Sequence, residues 1–142
     1  MTPVFQTRSG APNGNCFAAC IASVLNRKLE DVDVDVTDCD TSSALLAKIE
    51  QKANCKIDVV RHEEILDGTF KTSERYCIAE VCTFVFNEDP RHKQSMWHVV
   101  VCEITEDGKT PMVFNPDRTD RRQESLQQFA VVGNLFFVKA ND

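Results

Sequence analysis

Residues 10–25 read GAPNGNCFAACIASVL, in which a turn-forming segment runs directly into an apolar stretch. Gly, Pro and Asn in the first half interrupt regular structure. In the second half, apolar residues recur every three to four positions, as they do on one face of a helix. We therefore predict a helix over 15–26 with Asn15 as its N-cap. Cys16 stands in the first turn of this helix, either as a small core residue or as a nucleophile.

After a second predicted helix, the periodicity of the sequence changes from helical to strand-like. The sequence EDGK at 106–109 is a turn signal between two β-rich segments, so 96–115 is predicted to form a hairpin. Helices that precede antiparallel strands are typical of the α+β class, and we expect a single domain over 1–142. The other predicted elements are a helix at 43–53, strands at 55–60, 75–86 and 134–140, and a short helix at 125–132.

Composition excludes several classes of function. The chain has 142 residues and a net charge of −6, which argues against nucleic acids and anionic membranes as partners. Its apolar runs are too short to cross a bilayer, and the N-terminus lacks the pattern of a secretory signal. We therefore expect a cytoplasmic protein.

Cysteine is abundant in this sequence. Seven cysteines are present, an odd number, and no two of them form a Cys-x-x-Cys pair. A structural zinc site usually contains such pairs, and a cytosolic protein usually keeps its thiols reduced. The sequence thus predicts free thiols, with neither a metal nor a cofactor.

Three residues together point to acyl-transfer chemistry. Cys16 opens the first helix, His98 lies on the first strand of the hairpin, and Asn115 ends the second strand. A thiolate forms more readily at a helix N-terminus and beside an imidazolium. His98 would exchange protons with the thiol and the leaving group, and Asn115 would orient the imidazole. The backbone N–H of Cys16 and the side chain of Gln6 are candidate donors to the oxyanion.

Three segments of the chain resemble the papain-like cysteine peptidase superfamily, nearest to small papain-like proteins of phages and bacteria. The matching segments are FQTRSGAPNGNCFAACIASVL at 5–25, WHVVV at 97–101 and FNPD at 114–117. The resemblance implies a papain-like α+β fold in which the helix that carries the cysteine packs on an antiparallel sheet. It also implies Cys16 as nucleophile, His98 as general base and acid, Asn115 as orienting residue and Gln6 as oxyanion donor.

The function expected from these residues is that of a thiol hydrolase or acyl-transferase. Its substrate would be a peptide or protein with a peptide, isopeptide or amide bond, and the motif leaves the acyl acceptor open. Trp97 is expected either to cover the site or to serve in the hairpin, and Arg118 either to line the substrate cleft or to lie in a solvated turn. Two alternatives remain: a catalytically inactive papain-like module that binds proteins, and a cysteine-rich redox or metal protein.

Overall fold

The computed structural model describes residues 1–7, 15–35, 42–61, 63–64, 74–86, 93–104, 112–117 and 131–141. Two α-helices precede five strands, which confirms the predicted α+β class. A short 3₁₀ turn, Leu29–Asp31, follows the first helix. The elements are α1 (Cys16–Leu25), α2 (Ser42–Ala53), β1 (Cys55–Arg61), β2 (Tyr76–Phe86), β3 (Lys93–Glu103), β4 (Met112–Phe114) and β5 (Val131–Ala140).

Each helix is followed by an asparagine in the left-handed conformation. Asn26 has φ 56° and its backbone N–H bonds to the carbonyls of Ala22 and Ser23, which ends α1. Asn54 has φ 50° and turns the chain from α2 directly into β1. Asparagine tolerates this region better than most residues other than glycine, so it can end a helix at C′.

The five strands form one antiparallel sheet in the order β1-β5-β2-β3-β4. β3 and β4 pair through Val101 and Phe114, so the predicted hairpin is confirmed, although its turn at 106–109 lies outside the described residues. The prediction of a helix as far as 132 is wrong. Val131 and Val132 open β5, where these β-branched residues pair with β2. Residues 125–130 of that predicted helix are not among the described ones.

Buried side chains lie on both faces of the sheet. On one face, Val99 and Val101 of β3 pack with Ile21 of α1 and with Phe136 of β5. The other face carries Cys77, Val81, Val100 and Cys102, among others. α1 therefore covers one face of the sheet and makes its main contacts with β3. This packing places the start of α1 beside the strand that carries His98. No helix within the described ranges is long and apolar enough to cross a membrane.

Candidate active site

Cys16 is the first residue of α1, and its side chain is partly buried. The carbonyl of Asn15 accepts the backbone N–H of Ala19 at 3.0 Å, the hydrogen bond that begins the helix. Asn15 occupies the N-cap position, as predicted, but its side chain makes no cap hydrogen bond. The amides of the first turn are thus not capped by the Asn15 side chain.

The Asn15 side chain turns toward the N-terminal segment instead. Its Oδ1 accepts the backbone N–H of Thr7 at 3.0 Å, and its Nδ2 donates to the Thr7 hydroxyl at 2.9 Å and to Asp33 at 3.3 Å. Asn15 is only 3% exposed. A buried amide held by three hydrogen bonds fixes the chain on both sides of Cys16.

The N-terminal segment also reaches the far end of the hairpin. The backbone N–H of Gln6 donates to the carbonyl of Pro116 at 3.0 Å. The rings of Phe5 and Phe114 meet edge-to-face, with centroids 5.1 Å apart. Residues 5–7 therefore join the start of α1 to the end of β4. Gln6 lies next to the residue that follows Asn115, and its role as oxyanion donor stays a prediction.

His98 and Asn115 are in direct contact, as the hairpin register suggested. Nε2 of His98 lies 2.8 Å from Oδ1 of Asn115, and the same oxygen accepts the backbone N–H of Asp117 at 3.1 Å. A backbone N–H can only donate, so the Asn115 atom that receives it must be the oxygen. Nε2 therefore carries the proton of the neutral imidazole, and Nδ1 keeps a lone pair that can accept a proton.

Two thiols of α1 lie at the backbone of Val99, the residue that follows His98. The backbone N–H of Val99 helps to lower the pKa of Cys16, and the Cys20 thiol donates to the carbonyl of Val99 at 3.5 Å. β4 ends at Phe114, opposite Val101, so Val99 lies past the end of this neighbouring strand. The Cys20 thiol thus takes the place that a strand partner would occupy at this carbonyl.

Cys16 and His98 lie at the same stretch of β3 but are not hydrogen-bonded to each other in the described structure. Cys16 packs against the core cluster on the face of the sheet that α1 covers. Val99 faces α1, and alternation therefore turns the His98 side chain toward the opposite face. From there the ring reaches Asn115, which also lies past the end of β4. The two side chains thus start from opposite faces of the sheet, on either side of one stretch of β3.

The electrostatic environment of Cys16 contains opposing influences. Burial raises the pKa of the Cys16 thiol above its ordinary value, and the carboxylate of Asp117 adds to that rise. Hydrogen bonds from the backbone N–H groups of Val99, Phe17 and Cys16 itself lower the pKa. Burial dominates, so the resting side chain is a neutral thiol and not the thiolate that the sequence led us to expect.

Of the two predicted substrate-contacting residues, the structure describes only the backbone of Trp97. This residue lies on β3 opposite Cys82, and its side chain is outside the described part of the structure. Arg118 lies wholly outside the described residues. Their expected roles therefore stay predictions. Among the described residues, no three His, Cys, Asp or Glu side chains are placed to hold a metal ion.

Two contributors to the site were missed at the level of sequence. Asp117 holds the Asn115 oxygen in an Asx turn, and the Asn-Pro-Asp sequence is a typical signal for such a turn. The Asn15–Asp33 hydrogen bond joins residues 18 positions apart, and no local sequence pattern predicts it. Comparison of the sequence with protein-family models and with curated proteins finds no match.

Proposed function

We propose that the protein is a cysteine-dependent acyl-transfer enzyme with the triad Cys16, His98 and Asn115. The observation that carries this proposal is the hydrogen bond between His98 Nε2 and Asn115 Oδ1, beside the stretch of β3 at which Cys16 also lies. The resemblance of the sequence to papain-like peptidases supports the same assignment. The substrate class is a peptide or protein, cleaved at a peptide, isopeptide or amide bond.

The proton of the Cys16 thiol passes to Nδ1 of His98 as the sulfur attacks the carbonyl carbon. The π electron pair of the carbonyl moves to its oxygen. The resulting oxyanion accepts hydrogen bonds from N–H groups at the start of α1 and from the Gln6 side chain. His98 then donates its Nδ1 proton to the departing amine, which leaves an acyl-Cys16 thioester. Water completes hydrolysis, whereas a second amine completes transfer.

The resting geometry requires one adjustment before attack. The Cys16 sulfur lies at the Val99 backbone and is not hydrogen-bonded to the imidazole, and hydrogen bonds in unliganded catalytic sites often tighten only when substrate binds. A carbonyl group that arrives at the first turn of α1 draws the sulfur away from Val99 and toward His98. Since the resting thiol is neutral, His98 acts as a true general base in this scheme and not as a pre-formed imidazolium.

Trapping of the acyl intermediate tests the proposal. Wild-type protein is mixed with an activated acyl donor such as a peptide thioester, quenched in acid and mapped by mass spectrometry. We expect acylation at Cys16, its loss in Cys16→Ala, and a rate at least about 100-fold lower in His98→Ala. Cys55→Ala, which removes a buried thiol of β1, is the matched control and should react like wild type. Equal acylation of wild type and His98→Ala would overturn the triad.

A protein-binding module without catalysis is the second candidate, and one observation favours it. Burial raises the pKa of the Cys16 thiol, as expected of an inert structural cysteine. This candidate predicts that no acyl donor labels Cys16 faster than it labels the unfolded chain. The same trapping experiment therefore separates the two functions, with urea-unfolded protein as the reference.

A further inference from the structure

Cys77 and Cys102 are exact cross-strand partners on β2 and β3. Both are buried, with 1% and 0% of their surface exposed, and both lie on the face of the sheet away from α1. The interaction with the Cys77 side chain is the main cause that raises the pKa of the Cys102 thiol. This cysteine pair is separate from Cys16, and the proposed reaction makes no use of it.

The spacing of paired strands suits a disulfide at this position. Directly opposite residues in an antiparallel pair have Cα atoms about 4.5–5.5 Å apart. Disulfides bridge Cα atoms about 4.4–6.8 Å apart, so the separation of these paired positions falls within the range that a disulfide spans. Cys16 and Cys20 do not meet this requirement, because residues four apart on a helix hold their Cβ atoms about 5–6 Å apart, beyond disulfide reach.

We propose that Cys77 and Cys102 are a redox modification site that closes to an intramolecular disulfide. The oxidant is a small-molecule disulfide of the glutathione class. The thiolate of one cysteine attacks the small disulfide and releases one glutathione thiolate, which leaves a mixed disulfide. The second cysteine loses its proton and displaces the other glutathione. Two protein thiols are oxidised to one disulfide, and one molecule of oxidised glutathione is reduced to two of glutathione.

The position of the pair in the strands gives the oxidant its access. Tyr76 begins β2 and Glu103 ends β3, so each cysteine is one residue from the end of its strand. Strand ends open locally far more often than the whole sheet unfolds. The hydrogen bond with Cys77 and burial both raise the pKa of the Cys102 thiol, so the reaction is slow in the closed sheet and accelerates at higher pH.

The disulfide would constrain β3, the strand that also carries His98. Cys102 lies four residues from His98 on the same strand, and the pairing of β3 with β4 shifts register between Val101 and Cys102. A bridge to Cys77 fixes β3 against β2, beside the position where the pairing of β3 with β4 shifts. The oxidised protein should therefore resist denaturant better than the reduced protein, because the bridge also restricts the unfolded chain.

The test treats the protein with oxidised glutathione at about pH 8, stops the exchange with acid, alkylates the remaining thiols with excess iodoacetamide in urea at about pH 8, and maps the linked peptides. We expect one internal disulfide between Cys77 and Cys102, with the loss of two hydrogen atoms from the protein mass. It should be absent from Cys77→Ser and from Cys102→Ala. It should persist in Cys55→Ser, a buried cysteine that stands opposite Ala140 and has no thiol partner across the sheet.

Two outcomes would overturn this proposal. One is an internal disulfide that maps to any other cysteines, and the other is a folded, treated protein in which Cys77 and Cys102 are both still alkylatable. The denaturant midpoint of the oxidised wild type provides a second measurement, which should exceed the reduced value and return to it with dithiothreitol. The outcome does not depend on Cys16, so Cys16→Ala should form the same bridge even if the acyl-transfer proposal fails.

Discussion

Asn115 holds its side-chain oxygen 2.8 Å from Nε2 of His98 and at the same time closes an Asx turn onto Asp117. The turn fixes the amide from the backbone side, so the orientation of Asn115 does not depend on the imidazole. A fully buried acceptor in this position stabilises only one neutral tautomer of the ring, the one with a proton on Nε2.

The tautomer of His98 is the first prediction. In ¹⁵N NMR spectra of the neutral imidazole, we expect His98 to show the Nε2–H pattern almost exclusively. Asn115→Leu removes the acceptor at similar volume and should leave a mixture of tautomers. Since Asn115 is buried, this variant should also be less stable by about 1–3 kcal/mol, because the Asp117 N–H loses its partner. An Nδ1–H pattern in the wild type would contradict the assigned roles.

The charge of Asp117 gives the second prediction. Burial is the main cause that raises the pKa of Cys16, and the Asp117 carboxylate raises it further. Asp117→Asn removes this charge but keeps the backbone N–H that bonds to Asn115. We expect the pKa of Cys16 to fall, and its alkylation by iodoacetamide near neutral pH to accelerate by roughly two- to fivefold.

The matched control for this variant is Asp58→Asn, which removes an exposed carboxylate from the distant strand β1. Alkylation of Cys16 should be unchanged in that protein, since an exposed charge on a remote strand is screened by solvent. Equal acceleration in both variants would show that net charge, and not the proximity of Asp117, controls the thiol.

The sequence predicted the class of the fold and the contact between His98 and Asn115 because both depend on local patterns. Alternation marks the strands, and EDGK at 106–109 predicts a hairpin that brings the regions of His98 and Asn115 side by side. In the structure Val101 pairs with Phe114, so the contact also depends on the Asx turn in which Asn115 leaves β4. Boundaries were less accurate: β3 begins at Lys93 and β5 at Val131, a few residues before the predicted starts.

The relationship of Cys16 to the hairpin could not be derived in the same way. It depends on how α1 packs on β3, where the Cys20–Val99 hydrogen bond joins residues 79 positions apart. The sequence also suggested a thiolate at Cys16, whereas the packed structure favours a thiol. A sequence shows where a helix begins, but it does not show how deeply the first residue of that helix is buried. For Cys16, burial raises the pKa of the thiol and outweighs the influences that lower it.

The hydrogen bonds of Asn15 lead to the third prediction. Its buried amide joins Thr7 and Asp33 to the start of α1. Asn15→Ala leaves these polar groups without that partner, and we expect a loss of about 1–3 kcal/mol in the free energy of unfolding. Asn141→Ala, which removes an exposed amide hydrogen bond to Asn54, should change stability by about 0.5 kcal/mol or less. Urea denaturation of both variants measures the difference.

If Asn15 holds only the local chain, its removal should leave the chemistry of Cys16 unaltered once the protein is folded. We expect otherwise, since the same amide fixes the segment that bonds to Pro116. The pH profile of Cys16 alkylation in folded Asn15→Ala should therefore shift relative to wild type. An unshifted profile together with the expected loss of stability would restrict Asn15 to a structural role.

The buried cysteines predict how stability depends on pH. Burial raises the pKa values of Cys16, Cys20 and Cys55, and a hydrogen bond with Cys77 together with burial raises the pKa of Cys102. An unfolded cysteine has a pKa of about 8.5, so the unfolded chain releases these protons at lower pH than the folded one. Between that pH and the raised pKa values, the unfolded state binds fewer protons. The free energy of unfolding must therefore fall as pH rises.

Below about pH 8, the buried thiols thus make their full contribution to the free energy of unfolding. Above about pH 8.5 this contribution falls, by at most about 1.4 kcal/mol per pH unit for each cysteine. Urea denaturation of the reduced protein at a series of pH values between about 7 and 10 measures this slope. Cys20→Ala removes one fully buried thiol and should reduce the slope, even though it lowers stability at neutral pH. A free energy of unfolding that stays level or rises across this range would contradict the burial of these thiols.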